Sequence, residues 1–249
     1  MVACISDYLK KIWALSIKDM RLYYFKGPTI VMGVVMPMFL WLAFMIGSSP
    51  SIGSAVAMLL SISSFFAASS ITPVILPWET RQKTLEMILA RPITIELVLM
   101  GTCLASMLYG VFVSLVIIAI GIFLGVCPAN IPVLIASILL SSICYSFMGL
   151  LFSAIPSDVP ADAVLLSSVV RMPLIFISGV FVPINRLPIL MRPLSYVSPL
   201  TYYADIINDL YIGRSTFSLG IDFLVLLLFT IILGIFTIET NRRTIIKRL

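Results

Sequence analysis

The chain has 249 residues, 61% of them hydrophobic and 11% charged, with a net charge of +5 and a mean hydropathy of +1.15. A soluble domain carries roughly 25% charged residues; this composition cannot cover a water-facing surface and makes lipid the solvent for most of the chain. Histidine, the common proton carrier near neutral pH and the commonest metal ligand, is absent, which argues against zinc-dependent and His-based intramembrane enzymes.

Residues 1–27 are mixed. Ile5, Leu9, Ile12, Trp13, Met20 and Tyr23 recur at helical spacing among Lys10, Lys11, Lys18, Arg21 and Lys26. That pattern predicts a basic amphipathic helix in the membrane interface, not a cleavable signal peptide. A crossing helix needs about 20 apolar residues, and six stretches qualify: 28–48, 52–76, 95–125, 131–155, 163–182 and 219–239. The third exceeds the need and is expected to tilt or project. The fold class predicted is an all-α membrane protein forming one transmembrane domain over 1–249.

Lys and Arg near the spans set orientation. With the N-terminus inside, inside segments hold twelve: five in the leader, three in 77–94 (Arg81, Lys83, Arg91) and four in the tail 240–249 (Arg242, Arg243, Lys247, Arg248). Outside segments hold three, Arg186, Arg192 and Arg214. Both termini and the 77–94 segment are therefore expected in the cytoplasm, and the protein in the plasma membrane as a multi-pass chain.

Segment 77–94 is a charged island between greasy spans, bracketed by Pro77 and Pro92. Pro77 suits a helix's first turn. Glu79 and Lys83 stand four apart, Lys83 and Glu86 three apart, and Leu85, Ile88 and Leu89 share a face. A short two-faced helix follows, with charges free to pair with another protein. Segment 183–218 is rich in proline, tyrosine and leucine, too short and broken to span, and suits short helices dipping into the outer leaflet.

Candidate chemistry inside the spans is sparse. There is no phosphate loop of the GxxxxGK[ST] type, no paired carboxylate within a span, and no CxxC among Cys4, Cys103, Cys127 and Cys144. No catalytic residue, metal site or nucleic-acid partner is expected. Asp158 and Asp162 fall in the turn after span four, and Asp222 and Glu239 near the ends of span six. Arg171 stands alone inside span five. Two readings are open for it: lining a polar cavity or pairing across an interface, or snorkelling to the inner side. The serines of 61–64 and 141–142 have no base nearby and suit helix packing.

Two motifs carry a resemblance. Glu79, then Thr84-Leu85-Glu86, Ile88-Leu89, Pro92 and Thr94 follow a pattern E-R-E-x-G-T-L-E, L-L, P-x-S/T; Thr80, Arg81 and Lys83 depart from its arginine, second glutamate and glycine. "SGVFVP" (Ser178 and Gly179 to Pro183), Leu187-Pro188 and "PLTY" (Pro199 to Tyr202) follow a second. The chain thus resembles, over essentially its whole length, the permease subunit of type-2 ABC transporters, which export drugs, antibiotics and polysaccharides. The resemblance implies a homodimer with a second permease copy, with the cargo path between the copies. It implies separate cytoplasmic ABC ATPase subunits that hold the ATP and Mg, with no cofactor in this chain. It further implies a coupling helix at about 78–91 carrying Glu79, Arg81, Lys83, Leu85, Glu86 and Arg91. It also implies re-entrant helices at about 184–210, with Ser178, Gly179, Pro183, Pro199 and Tyr202 at an outer gate. The weak polarity of the spans favours an amphiphilic or apolar cargo. The alternative weighed against this is a secondary carrier or channel driven by an ion gradient, which would favour inverted repeats and mid-membrane carboxylates.

Overall fold

A computed structural model describes residues 2–48, 50–155 and 159–248. Asp158 and the side chains of Cys4, Ile5, Lys247 and Arg248 lie outside them. The regular structure of the described residues is all helical, with no strand. Helix α1 (Val2–Asp19) runs through a wide π turn, Met20–Tyr24, to α2 (Gly27–Ile30). A second π turn, Val31–Val35, leads into α3 (Met36–Ser48). Then come α4 (Ile52–Ser69), α5 (Thr72–Arg81), α6 (Thr84–Leu89), α7 (Ile95–Phe123), α8 (Ile131–Ser153) and α9 (Pro160–Ile177). A 3₁₀ turn at Ile184–Arg186 and α10 (Arg192–Ser195) precede α11 (Pro199–Ile212) and α12 (Leu219–Arg248).

Five of these runs are long and apolar enough to cross a membrane: Ile52–Arg81, which joins α4 to α5, then α7, α8, α9 and Leu219–Thr244 of α12. The first stretch expected as a span gives a shorter apolar helix, Val31–Gly47. Three boundaries shift. Helix α9 runs over Pro160–Ile177 rather than 163–182. Helix α12 continues past residue 239 to Arg248, and α5 continues past Pro77 to Arg81. Pro77 therefore sits inside a helix, and the proline of the first turn is Pro73.

Helix α4 is the centre, with fourteen of its eighteen residues buried against α3, α7, α8 and α11. Its packing is polar in composition but closed in bonding. Ser61, Ser64 and Ser69 donate to carbonyls four residues back at 2.8, 2.7 and 2.6 Å. Ser64 also meets Ser114 of α7 at 2.7 Å and Tyr203 of α11 at 3.2 Å. Ser146 of α8 donates to Ser106 of α7 at 2.8 Å. Where lipid removes the hydrophobic drive between helices, small residues and interhelical hydrogen bonds supply the contact. The serines expected to pack helices do so here.

The long Ile52–Arg81 run breaks at Ser70–Ile71 for a local reason. Pro73 has no N–H for the Ser69 carbonyl, and it disfavours helix at the residue before it. The Thr72 hydroxyl takes that carbonyl instead, at 3.3 Å. Helix α8 seats its Gly149 on this break. A Cβ there would overlap Thr72 Oγ1 and come within 2.8 Å of the Ser69 carbonyl oxygen. We predict that Gly149→Ala forces α8 off the break and destabilises the protein by about 1–3 kcal/mol. Thermal unfolding of the purified protein in detergent checks this, beside Gly47→Ala, whose added Cβ meets nothing within 4 Å.

Candidate functional site

The site lies at the end of the bundle where α1, α5, α6 and the start of α7 meet. Two residues, Gln82 and Lys83, separate α5 from α6, and Lys83 turns the chain there with φ 57°, the one non-glycine with positive φ among the described residues. It occupies the place where the family pattern carries glycine, the residue that makes such a turn without strain. Thr84 donates from Oγ1 to the Glu79 carbonyl at 3.2 Å, closing the turn. On the far side α6 buries Leu85 in a cluster with Leu15 of α1, Leu76 of α5 and Leu97, Val98 and Leu99 of α7.

Helix α1 lies across the start of α7 at close range. A Cβ on Gly101 would come within 2.6 Å of Leu15 Cβ. Leu15, Ser16 and Asp19 face inward, and Tyr8, Leu9 and Trp13 face outward. Asp19 accepts from Thr102 Oγ1 at 2.7 Å and meets Lys18 Nζ at 3.1 Å. Lys18 also forms an ion pair with the buried Glu79. Farther along, Lys11 Nζ donates to the Pro92 carbonyl at 2.9 Å. The leader helix is thus tied to both ends of the 77–94 segment.

These contacts set the ionisation. Burial works to lower the Lys18 ammonium, but Asp19 and Glu79 outweigh it and hold it above the ordinary lysine value. Burial pushes the Asp19 carboxyl above the usual carboxylate range, against the pull of Lys18 and Thr102. Lys18 is therefore a permanent cation at neutral pH, locked by its two carboxylates.

The expected site residues divide sharply. Arg81, Lys83, Glu86 and Arg91 are all exposed. Leu85 and Glu79 are buried, at 1% and 2% exposure. The pairing of Glu79 with Lys83 expected from their spacing is replaced by the pairing with Lys18, because the left-handed turn swings Lys83 away from the α5 face that holds Glu79. Sequence reasoning missed Lys18, Asp19 and Thr102 as a unit. The signal was present: Leu15, Ser16, Asp19 and Tyr23 fall three or four apart on one face of a leader otherwise basic.

Arg171 turns inward. Its guanidinium donates to the Ser167 carbonyl at 3.1 Å, to Ser167 Oγ at 2.7 Å and to Ser70 Oγ at 2.8 Å, and lies 5.8 Å from the Phe66 ring centre. It therefore reaches the α4–α5 break, 4% exposed. Three of its N–H donors are taken, two by Ser167 one turn back along α9 and one by Ser70. At the other end of α9, Ser178 donates to the Ile175 carbonyl at 2.7 Å. Gly179 follows with φ 83°, and a Cβ there would come within 2.9 Å of Ile184. Pro183 is exposed. Pro199 opens α11, ten of whose fourteen residues are buried, among α4, α8 and α12. Tyr202 donates to the Tyr196 carbonyl at 2.9 Å. Asp205 accepts the Thr216 and Phe217 amides at 2.8–2.9 Å and so holds the loop into α12.

An all-helical chain with several helices long and apolar enough to cross a membrane, packed through a buried serine lattice, is a multi-pass membrane protein. Comparison with known proteins agrees. The family model of the ABC-2 type transporter matches residues 10–212, and the chain belongs to that family. Two curated relatives come from Escherichia coli K12. "Probable multidrug ABC transporter permease YbhR" is 24% identical over 136 residues, 54% of this chain and 37% of that protein. "Inner membrane transport permease YadH" is 25% identical over 151 residues, 60% of this chain and 59% of that protein. The matched stretches thus span between a third and three fifths of these relatives. The chain is a transmembrane permease component of an ABC transporter, distinct from the ATPase subunit.

Two outcomes follow. Lys18→Ala leaves two buried carboxylates facing each other and destabilises the protein by about 3 kcal/mol. Lys18→Ala with Glu79→Gln recovers part of the loss, so a double-mutant cycle by thermal unfolding gives a clearly non-additive sum. Lys83→Gly removes about 1 kcal/mol of left-handed strain, partly offset by glycine's larger loss of backbone freedom. Its unfolding midpoint stays level or rises slightly, whereas Lys83→Val lowers it.

Proposed function

We propose that this chain is the membrane half of an ATP-driven exporter, six spans with Val31–Gly47 as the first, both termini in the cytoplasm. Two copies enclose the cargo path, and separate cytoplasmic ATPase subunits bind below. They carry the ATP and Mg. The observation that supports this best is the split character of the 77–94 segment. Arg81, Lys83, Glu86 and Arg91 are exposed on it, while Glu79 and Leu85 anchor it to α1 and α7. A docking surface needs exposed, complementary charge for partner choice. A transmitting element needs rigid attachment to what it moves, and this segment has both.

Helix α5 leads from that segment to the break at Ser70–Ile71, where Arg171 attaches α9, and α9 ends at the Ser178–Gly179 turn. This is the route by which closure of the ATPases would reach the far side of the membrane, where α11 and the 183–218 region act as re-entrant gate elements. The spans bury hydroxyls but few charges, which fits an amphiphilic or apolar cargo.

The test is co-purification with the phosphate-loop ATPase encoded nearest to this chain. Arg81→Glu with Glu86→Arg should lower ATPase recovery by about fivefold or more, roughly 1 kcal/mol at an exposed pair, without moving the unfolding midpoint, since both residues are exposed. Undiminished ATPase recovery by that variant would sink the coupling role.

A further inference from the structure

Between α1 and the α5–α6 turn lies a groove of about 520 Å³. Its walls are apolar, with Leu15 and Leu22 on one side and Met87 and Ile88 on the other. Lys11, Lys18 and Arg91 line it, and its sole carboxylate, Glu79, is already held by Lys18. Arg91 is exposed and has no ion pair among the described residues. The groove thus offers net positive charge beside apolar walls.

The surroundings decide what fits. The outward face of α1 carries Tyr8, Leu9 and Trp13, exposed between 47% and 61%, and Trp78 is exposed on α5. Exposed tryptophan and tyrosine beside lysines are the marks of a surface at lipid headgroup depth. A soluble partner's helix would need polar complement on those rims; an amphiphile needs an anion for the cations and a chain for the walls. We propose that the groove is a binding site for an anionic phospholipid of the adjoining leaflet, its phosphate between Lys11 and Arg91 and an acyl chain along Leu22 and Met87. The proposal rests on the orientation above only for which leaflet that is, the cytoplasmic one. A lipid seated there would bridge the leader helix and the coupling segment, adding a lipid-composition dependence to the contact between them.

The experiment uses the full chain alone, without ATPase, so that its failure leaves the coupling reading standing. The protein is reconstituted with an equal mixture of dioleoylphosphatidylglycerol and dioleoylphosphatidylcholine, transferred to detergent, and the retained lipid is counted by native mass spectrometry. We expect one phosphatidylglycerol retained in preference to phosphatidylcholine. Lys11→Gln and Arg91→Gln should each weaken retention about fivefold, as one basic residue at an anionic surface does. Leu22→Ser should weaken it without changing charge, and Arg242→Gln with Arg243→Gln should leave it intact. Equal retention of both lipids overturns the proposal. So does retention indifferent to Lys11 and Arg91, or complete displacement by inorganic phosphate.

Discussion

A buried carboxylate is costly unless a partner offsets its charge, and Glu79 finds one in Lys18, sixty-one residues earlier. The rest of this end of the molecule depends on that pair. It fixes α1 across the start of α7, where Asp19 and Thr102 complete the network and Gly101 lets the helices close to contact. It also fixes α5, whose continuation carries exposed charges. Without it the leader would be only an amphipathic helix adsorbed on a surface. With it the leader is a strut.

A second requirement governs the middle of the bundle. A polar group there is costly without a partner. The break between α4 and α5 exposes the Ser69 carbonyl and the Ser70 hydroxyl, and each is met: one by Thr72, the other by Arg171. Gly149 keeps α8 close enough to seal the spot. The arginine is costly at that depth, yet it joins three elements that apolar contacts alone would leave free to slide.

Composition made the membrane legible, because 61% hydrophobic residues leave no other solvent, and six long apolar stretches made the helical class legible. The four middle spans were legible because long apolar runs need no partner to be read. What the sequence did not show was pairing. The i, i+4 spacing of Glu79 and Lys83 pointed to a local ion pair, and local spacing cannot foresee a lysine from another helix or a left-handed residue between the two. The depth of Arg171 was legible but its direction was not, since that depends on where the α4 helix breaks. Pro77 drew attention as a helix start, whereas the effective proline was Pro73, four residues earlier, where a missing N–H opens the helix.

Lys83 has a mechanical consequence. Glycine at that turn would allow the backbone both hands of φ, so α5 and α6 could pivot about a loose joint. A lysine is confined to one narrow well there, and leaving it means rebuilding the turn. The two short helices therefore form an elbow that is bent but stiff, and a displacement of α6 is carried into α5 rather than absorbed at the bend.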